Sequence, residues 1–323
     1  MIKSRIVRNV SGTLETVVGS LYVPLALEYR RAQMVQTLSV SSDVKGVEEN
    51  VFLKAYVNRN FRSDTKGLAV ILHGWQGSSL TPDMIDIGRN VFAAGFHTAR
   101  INFRDHGGTT GWNERLFHGG LIQEMEEAIR LLSSEFPETD VYLIGCSLGG
   151  NFALRLGASM VDFPNLKKVV AVCPAMNPRR SIEMVDSHPL FRRFFLGLWR
   201  RALREKSRYF PEMYDIKVWD RFSIVQDLID YVVDQGYFPY SDVDEYYDSY
   251  KITPELLENS VPMNIIGTWN DPVIDPLDMT FLFDMDQATL DLRKFGGHIS
   301  FTNPISLRRR LSAVILEHLV DEV

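Results

Sequence analysis

Residues 145–149 read G-C-S-L-G, a spacing that could present a serine nucleophile. They follow the apolar run Val141 to Ile144 and lead into a helical pattern from Leu148 to Ala158, so Ser147 would stand on a strand–turn–helix elbow. Such a turn strains the serine backbone and brings strand and helix close together. It therefore calls for small residues at 145 and 149, and it pushes the hydroxyl out at the carboxyl end of the strand. A serine hydroxyl is a weak nucleophile until a base takes its proton. On this kind of elbow the acid and the histidine follow the serine in chain order. Of the seven histidines only His188, His298 and His318 satisfy that order. His188 precedes the last two apolar runs and His318 lies inside a C-terminal helical pattern. His298 stands in the loop F-G-G-H-I (295–299), where a side chain can swing over a sheet edge. His298 is the expected base.

The acid should leave the end of the preceding strand. In M-N-I-I-G-T-W-N-D-P-V (263–273), Asp271 lies directly after the apolar run and before a rigid proline. Asp275 and Asp278 are close by, and Asp275 is either a rival acid or the cap of the next helix. The acid would hold the histidine tautomer and stabilise the imidazolium. An oxyanion needs preorganised N–H donors. The expected pair is the amide of Leu148, at the start of its helix, and the amide of Trp75, in H-G-W-Q-G-S-S (73–79).

Arg104, Asp105, His106 and His118 fall on or after loops at the same sheet edge and are read as structural pairing and loop tethers ahead of substrate contacts; His73 is read as a loop-orienting residue, with substrate contact as its other reading. Neither H-E-x-x-H nor a Cys/His ligand spacing occurs, so no metal and no cofactor are expected. Cys146 and Cys173 read as small packing residues.

Positioning these side chains requires a sheet. Short apolar runs at 68–72, 98–102, 141–144, 169–172, 263–266 and 288–292 alternate with helical patterns at 84–94, 120–134, 148–158, 277–285 and 305–319. That rhythm predicts an α/β fold with a mostly parallel sheet covered on both faces. Residues 1–60 read as an antiparallel β extension, with extended segments at 13–22, 28–40 and 44–57. About 90 residues separate Val172 from Met263, far more than a crossover needs. The expected organisation is a core of 1–174 and 260–323 with a helical lid inserted at 175–259.

Composition narrows the function classes. Thirty-five basic against 41 acidic residues leave a net charge of −6, which does not recommend nucleic acid as a partner. Two cysteines are too few for a disulfide scaffold and suggest a reducing, cytoplasmic compartment. The charge-free stretch 67–82 is too short and too polar to span a bilayer, and no signal peptide is read at the N-terminus. Within the insertion, 190–204 places Leu, Phe and Trp on one helical face and five arginines elsewhere. That helix is read as packing over an acyl pocket, with weak contact to a membrane surface as the other reading.

Taken with H-G-x-x-G-S-S (73–79), N-F-R and G-G (102–108) and F-H-G-G (117–120), these residues resemble the α/β-hydrolase superfamily, in its YheT-like branch of lidded serine hydrolases. The resemblance runs from about Gly67 to the C-terminus. It implies hydrolysis of a small-molecule carboxylic ester with an apolar or lipid-like acyl group. The same triad also serves acyl transfer or thioester cleavage, and a noncatalytic ligand-binding module is the reading from another class. Oligomeric state is left open.

Overall fold

The computed structural model describes residues 2–20, 27–302 and 310–320. Helices α1 (Ile2–Ser20) and α2 (Leu27–Arg31) precede a long hairpin of β1 (Met34–Val44) and β2 (Val47–Asn58). There follow β3 (Leu68–Leu72), α3 (Pro82–Ala93), β4 (His97–Asn102), α4 (Ile122–Ser134), β5 (Val141–Cys146), α5 (Leu148–Ser159) and β6 (Leu166–Val172). After β6 come α6 (Pro178–Ser187), α7 (Pro189–Tyr209), α8 (Val225–Asp234), α9 (Val243–Asp248) and α10 (Pro254–Leu257). The chain then enters β7 (Met263–Thr268), a 3-10 helix (Pro276–Asp284), β8 (Ala288–Arg293) and α11 (Leu311–Leu319).

The eight strands form one sheet in the order β1-β2-β4-β3-β5-β6-β7-β8. The first two pairings, β1 with β2 and β2 with β4, are antiparallel and all later ones are parallel. Central strands are apolar throughout because both faces are covered: all five residues of L-A-V-I-L (68–72) are buried. Their period of two divides the core. Leu68, Val70 and Leu72 pack with residues of α4 and α5, whereas Ala69 and Ile71 pack with residues of α3 and α11. By contrast β1 buries only alternate residues, as an edge strand with one solvated face does.

The expected β extension is corrected at its start. Residues 2–20 form a helix, not an extended segment through Thr13, and α2 occupies 27–31 before β1 begins at Met34. Helix α1 escaped detection because its pattern is inverted. Gly12, Glu15 and Gly19 are buried while Val10, Leu14 and Val17 are exposed. Hydrophobic periodicity locates a helix by the apolar face it buries, and α1 buries small and polar residues instead. Residues 21–26, which include the last two of the first expected segment (13–22), lie outside the described residues, as do 303–309, which include the start of the C-terminal helical pattern at 305.

The segment between β6 and β7 is helical and shares the larger core. Leu196, Trp199 and Leu203 of α7 are buried in the same cluster as Phe117, Phe152 and Leu148. A buried lysine anchors α7 as well. Lys206 donates through Nζ to Asp105 Oδ1 at 2.8 Å and to the carbonyls of Asn113 and Arg115. Burial lowers the Lys206 pKa and raises that of Asp105, so each charge depends on the other. Removing one partner of such a pair typically costs about 3–5 kcal/mol. No helix among the described residues is long and apolar enough to cross a membrane.

Candidate active site

Ser147 occupies the turn between β5 and α5 with φ +55° and ψ −120°. That region is costly for a residue with a side chain and is kept where the surroundings over-determine it. Here the surroundings are backbone. A Cβ at Gly145 would overlap the carbonyl of Gly149, and a Cβ at Gly149 would overlap the carbonyls of Leu72 and His73. The Ser147 amide donates to Val172 O at 2.9 Å and its carbonyl accepts from Asn151 N at 3.1 Å. The hydroxyl is thereby held at the carboxyl edge of the sheet.

His298 Nε2 lies 2.9 Å from Ser147 Oγ, and its Nδ1 lies 2.9 Å from Asp271 Oδ2. The other carboxylate oxygen of Asp271 accepts from the amides of Val273 and Ile274 at 2.8 and 2.9 Å. Both Asp271 and His298 are buried. With Asp271 as acceptor, Nδ1 carries the imidazole proton and Nε2 is left to take one from the serine. Asp275 stands elsewhere. It caps the 3-10 helix through the Leu277 amide at 3.0 Å and pairs with Arg180.

Leu148 is the first residue of α5, where a helix leaves its amides without intrahelical partners. The Trp75 loop passes close to the nucleophile: a Cβ on Gly74 would lie 3.3 Å from Ser147 Cβ. Trp75 itself is clamped by the insertion, stacked on Phe195 at 5.6 Å and edge-on to Trp199 at 5.4 Å.

His73 and Arg104 make bonds that tether loops, the reading the sequence favours for both. His73 donates from Nδ1 to Gly74 O at 2.8 Å and accepts at Nε2 from the Phe103 amide at 3.2 Å, which joins the loops after β3 and β4. Arg104 spends its guanidinium on Glu124 at 2.8 Å and Glu49 at 2.6 Å. Burial opposes its charge, yet the two carboxylates hold its pKa above the ordinary value. The carboxyl of Glu124 is itself raised by burial, against the pull of Arg104. His118 differs from both, since it lines the cavity beside Ser147. His106 is placed at this edge by the sequence too, as a loop tether or a substrate contact. It bonds the Gln76 amide through Nε2 and Arg104 O through Nδ1, and so steadies the Trp75 loop. Burial pushes His73 down to about 3 and His106 to about 4, which keeps both neutral, while His118 is held well below the usual value by the same cause.

Two cavities meet at Ser147 and Trp75. The inner one, about 80 Å³, lies under the insertion and is walled by Phe117, Leu148, Ile182, Trp199 and Phe238. The outer groove, about 470 Å³, reaches His298 and is bounded by the 74–77 loop, Phe194 and α1. Among the described residues, the grouping of Cys173, Asp271 and His298 brings ligand-type atoms within 4.8 Å of one another. Its Asp271 and His298 already bond each other, and burial, reinforced by Asp271, raises the Cys173 thiol well above its ordinary pKa. A neutral thiol suits packing better than ligation.

An eight-stranded sheet with a strained serine between β5 and α5, bonded to a histidine and an aspartate from later loops, defines the class of α/β hydrolases. The chain belongs to the alpha/beta hydrolase family, whose model matches residues 69–306. It is similar to the monoacylglycerol lipase ABHD2 of Danio rerio, 22% identical over 204 residues that cover 58% of this chain and 48% of that one. It is also similar to the monoacylglycerol lipase of Saccharomyces cerevisiae, 23% identical over 263 residues, 76% of this chain and 57% of that one. The chain thus spans about half the length of these curated relatives. Among solved structures, an esterase of Pyrococcus furiosus superposes with a TM-score of 0.56 at 14% identity, covering 89% of this chain and 91% of that one.

Proposed function

We propose that the chain is a serine hydrolase that cleaves carboxylic esters through an acyl-enzyme, in the manner of the lidded YheT-like branch. The observation that carries this reading is the continuous relay from Asp271 through His298 to Ser147, with both links at 2.9 Å. Ser147 Oγ attacks the ester carbonyl carbon while its proton passes to His298 Nε2. The negative charge on the carbonyl oxygen rests on the amides of Leu148 and Trp75. When the carbon–oxygen bond to the alcohol breaks, Nε2 returns the proton to the leaving oxygen. Water then repeats the sequence, losing its proton to His298 and releasing the acid and a free serine. The relatives named above are monoacylglycerol lipases, enzymes of the same chemistry.

The leaving oxygen must come within hydrogen-bond reach of His298 Nε2. Since the imidazole borders the outer groove, the alcohol half lies there and the acyl half lies in the inner apolar cavity. Residues 175–259 then act as the lid that sets acyl preference, its Trp199 and Phe238 lining the inner cavity opposite His118 of the core. A panel of p-nitrophenyl esters tests this. Specificity constants should rise by up to about four-fold for each added methylene, the equivalent of ~0.8 kcal/mol of burial. They should fall once the chain outgrows that small cavity of about 80 Å³. A profile that climbs steadily to palmitoyl would reject the assignment of the two halves.

Weak contact of α7 with an anionic lipid surface belongs to the same proposal. Leu190 and Phe194 are exposed at the groove mouth, beside exposed Arg193 and Arg201. The other basic residues of that stretch have partners: Arg200 reaches Phe222 O, Arg204 pairs with Asp220 and Arg192 reaches Asp186 O. Co-sedimentation with anionic liposomes should weaken when Arg193 and Arg201 become glutamate; binding unaffected by that change would remove this part. Residence in the cytoplasm rests on the two buried cysteines alone, neither of them in a disulfide, and cell fractionation tests it.

A further inference from the structure

The loop that carries His298 has an unusual set of partners. Residues 296–300 lie outside any strand or helix, so their amides have no ladder to join. Three consecutive amides are instead taken by side chains. Gly296 N–H donates to Glu15 Oε2 at 2.6 Å, Gly297 N–H to Asn270 Oδ1 at 3.0 Å, and His298 N–H to Thr16 Oγ1 at 2.8 Å. Two of these acceptors belong to α1, about 280 residues away in the chain. The third, Asn270, precedes the triad acid and donates from its Nδ2 to Ser11 Oγ, also on α1, at 3.2 Å.

The geometry is directional. Thr16 Oγ1 donates to Gly12 O at 2.7 Å, which turns its lone pairs toward the His298 amide. Ser300 Oγ donates to the carbonyl of Glu15 at 2.7 Å and closes the far side of the loop. Close approach needs small residues on the helix: a Cβ at Gly12 would overlap the Asn270 carbonyl, and one at Gly19 would overlap the Ser300 hydroxyl. The buried stripe of α1 is therefore shaped for these two loops. Thr16, Val17 and Gly19 of the same helix also border the outer groove.

We propose that α1 is a clasp for the base of the triad: Glu15 and Thr16 are positioning residues that hold the 296–298 backbone, and hence the His298 imidazole, against Ser147, while the same helix walls the groove that receives the alcohol. This rests on the hydrolase reading above. Neither residue touches the reacting atoms. Their effect is transmitted through the N–H side of a loop whose carbonyls are held elsewhere, Gly296 O by the Phe301 amide and Gly297 O by Thr268 Oγ1, and misplacement of a catalytic group by about 1 Å can cost roughly 100-fold in rate.

The test uses Thr16→Val, which keeps the shape and removes the acceptor, with Thr16→Ser, which restores it. The measured quantities are the rate of inactivation by a fluorophosphonate probe, kcat and KM for a p-nitrophenyl ester, and Tm. Thr16→Val should slow inactivation and lower kcat by roughly 10- to 100-fold, with little change in KM for a small ester. Thr16→Ser should recover most of the loss. A Thr16→Val protein with wild-type inactivation and kcat overturns the clasp, as does a loss that Thr16→Ser fails to recover. Should Thr16→Val not fold, the pair Glu15→Gln and Glu15→Leu reads the same device, because glutamine retains an acceptor for the Gly296 amide and leucine does not. Equal rates in that pair overturn it. A wild-type protein inert to the probe defeats the hydrolase reading and the clasp with it, whereas a reactive wild type with an equally reactive Thr16→Val protein defeats the clasp alone.

Discussion

Ser147→Ala is expected to lower kcat toward carboxylic esters by roughly a million-fold and to abolish labelling by a fluorophosphonate. The hydroxyl is the group presented to His298 Nε2, at 2.9 Å, and it opens on both cavities. The adjacent Cys146 is wholly buried on the opposite side of the turn, among Ile71, Ile144 and Val172, so its thiol does not replace the hydroxyl. Alanine keeps the Cβ and the backbone bonds to Val172 and Asn151, so the fold should persist. Intact-protein mass spectrometry after incubation with the probe checks the result. Persistent labelling of a folded Ser147→Ala protein would sink the assignment of the nucleophile.

Asp271→Asn should lower kcat by about 10,000-fold with little effect on the fold. Two amides, from Val273 and Ile274, point at one carboxylate oxygen. In the asparagine variant that position must be filled by the amide oxygen, since an NH2 group cannot accept from them. The NH2 then faces His298 Nδ1, which has to give up its proton and accept. The ring proton moves to Nε2, and the base meets the serine with the wrong tautomer. Asp275→Asn provides the contrast. It keeps a cap for the Leu277 amide and loses a partly exposed pairing with Arg180, worth about 0–1 kcal/mol, so activity should stay within a few-fold of wild type. The kcat of the two proteins on one p-nitrophenyl ester decides the matter, and a larger loss in Asp275→Asn would reverse the assignment.

Much of this site could be read from short stretches of chain because its requirements are local. The elbow needs glycine two residues before and two after the serine, since the backbone carbonyls of Gly149, Leu72 and His73 leave no room for a Cβ. The parallel strands advertise themselves as unbroken apolar runs because both faces are buried. Chain order then leaves few histidines for the base.

Other features have no local signature. Arg104 and His118 sit on the same connection between β4 and α4 and look alike as candidates, yet one is consumed by Glu124 and Glu49 and the other lines the inner cavity. Asp271 and Asp275 are four residues apart, and only the path of the loop sends one to His298 and the other to Arg180. The basic character of 190–204 reads as a continuous charged face, whereas folding pairs Arg204 with Asp220 and turns Arg200 onto a backbone carbonyl.

By itself, then, the sequence carries the parallel core and the candidate nucleophile and base, because these are legible from periodicity, from residue size over a few positions and from chain order. Only the tertiary structure shows which aspartate bonds His298, that two cavities meet at Ser147, and that residues 2–20 are a helix. That helix buries glycine, glutamate and threonine against loops about 280 residues distant. No pattern of hydrophobicity records such a contact, because its binding surface consists of hydrogen bonds and close backbone approach instead of apolar area.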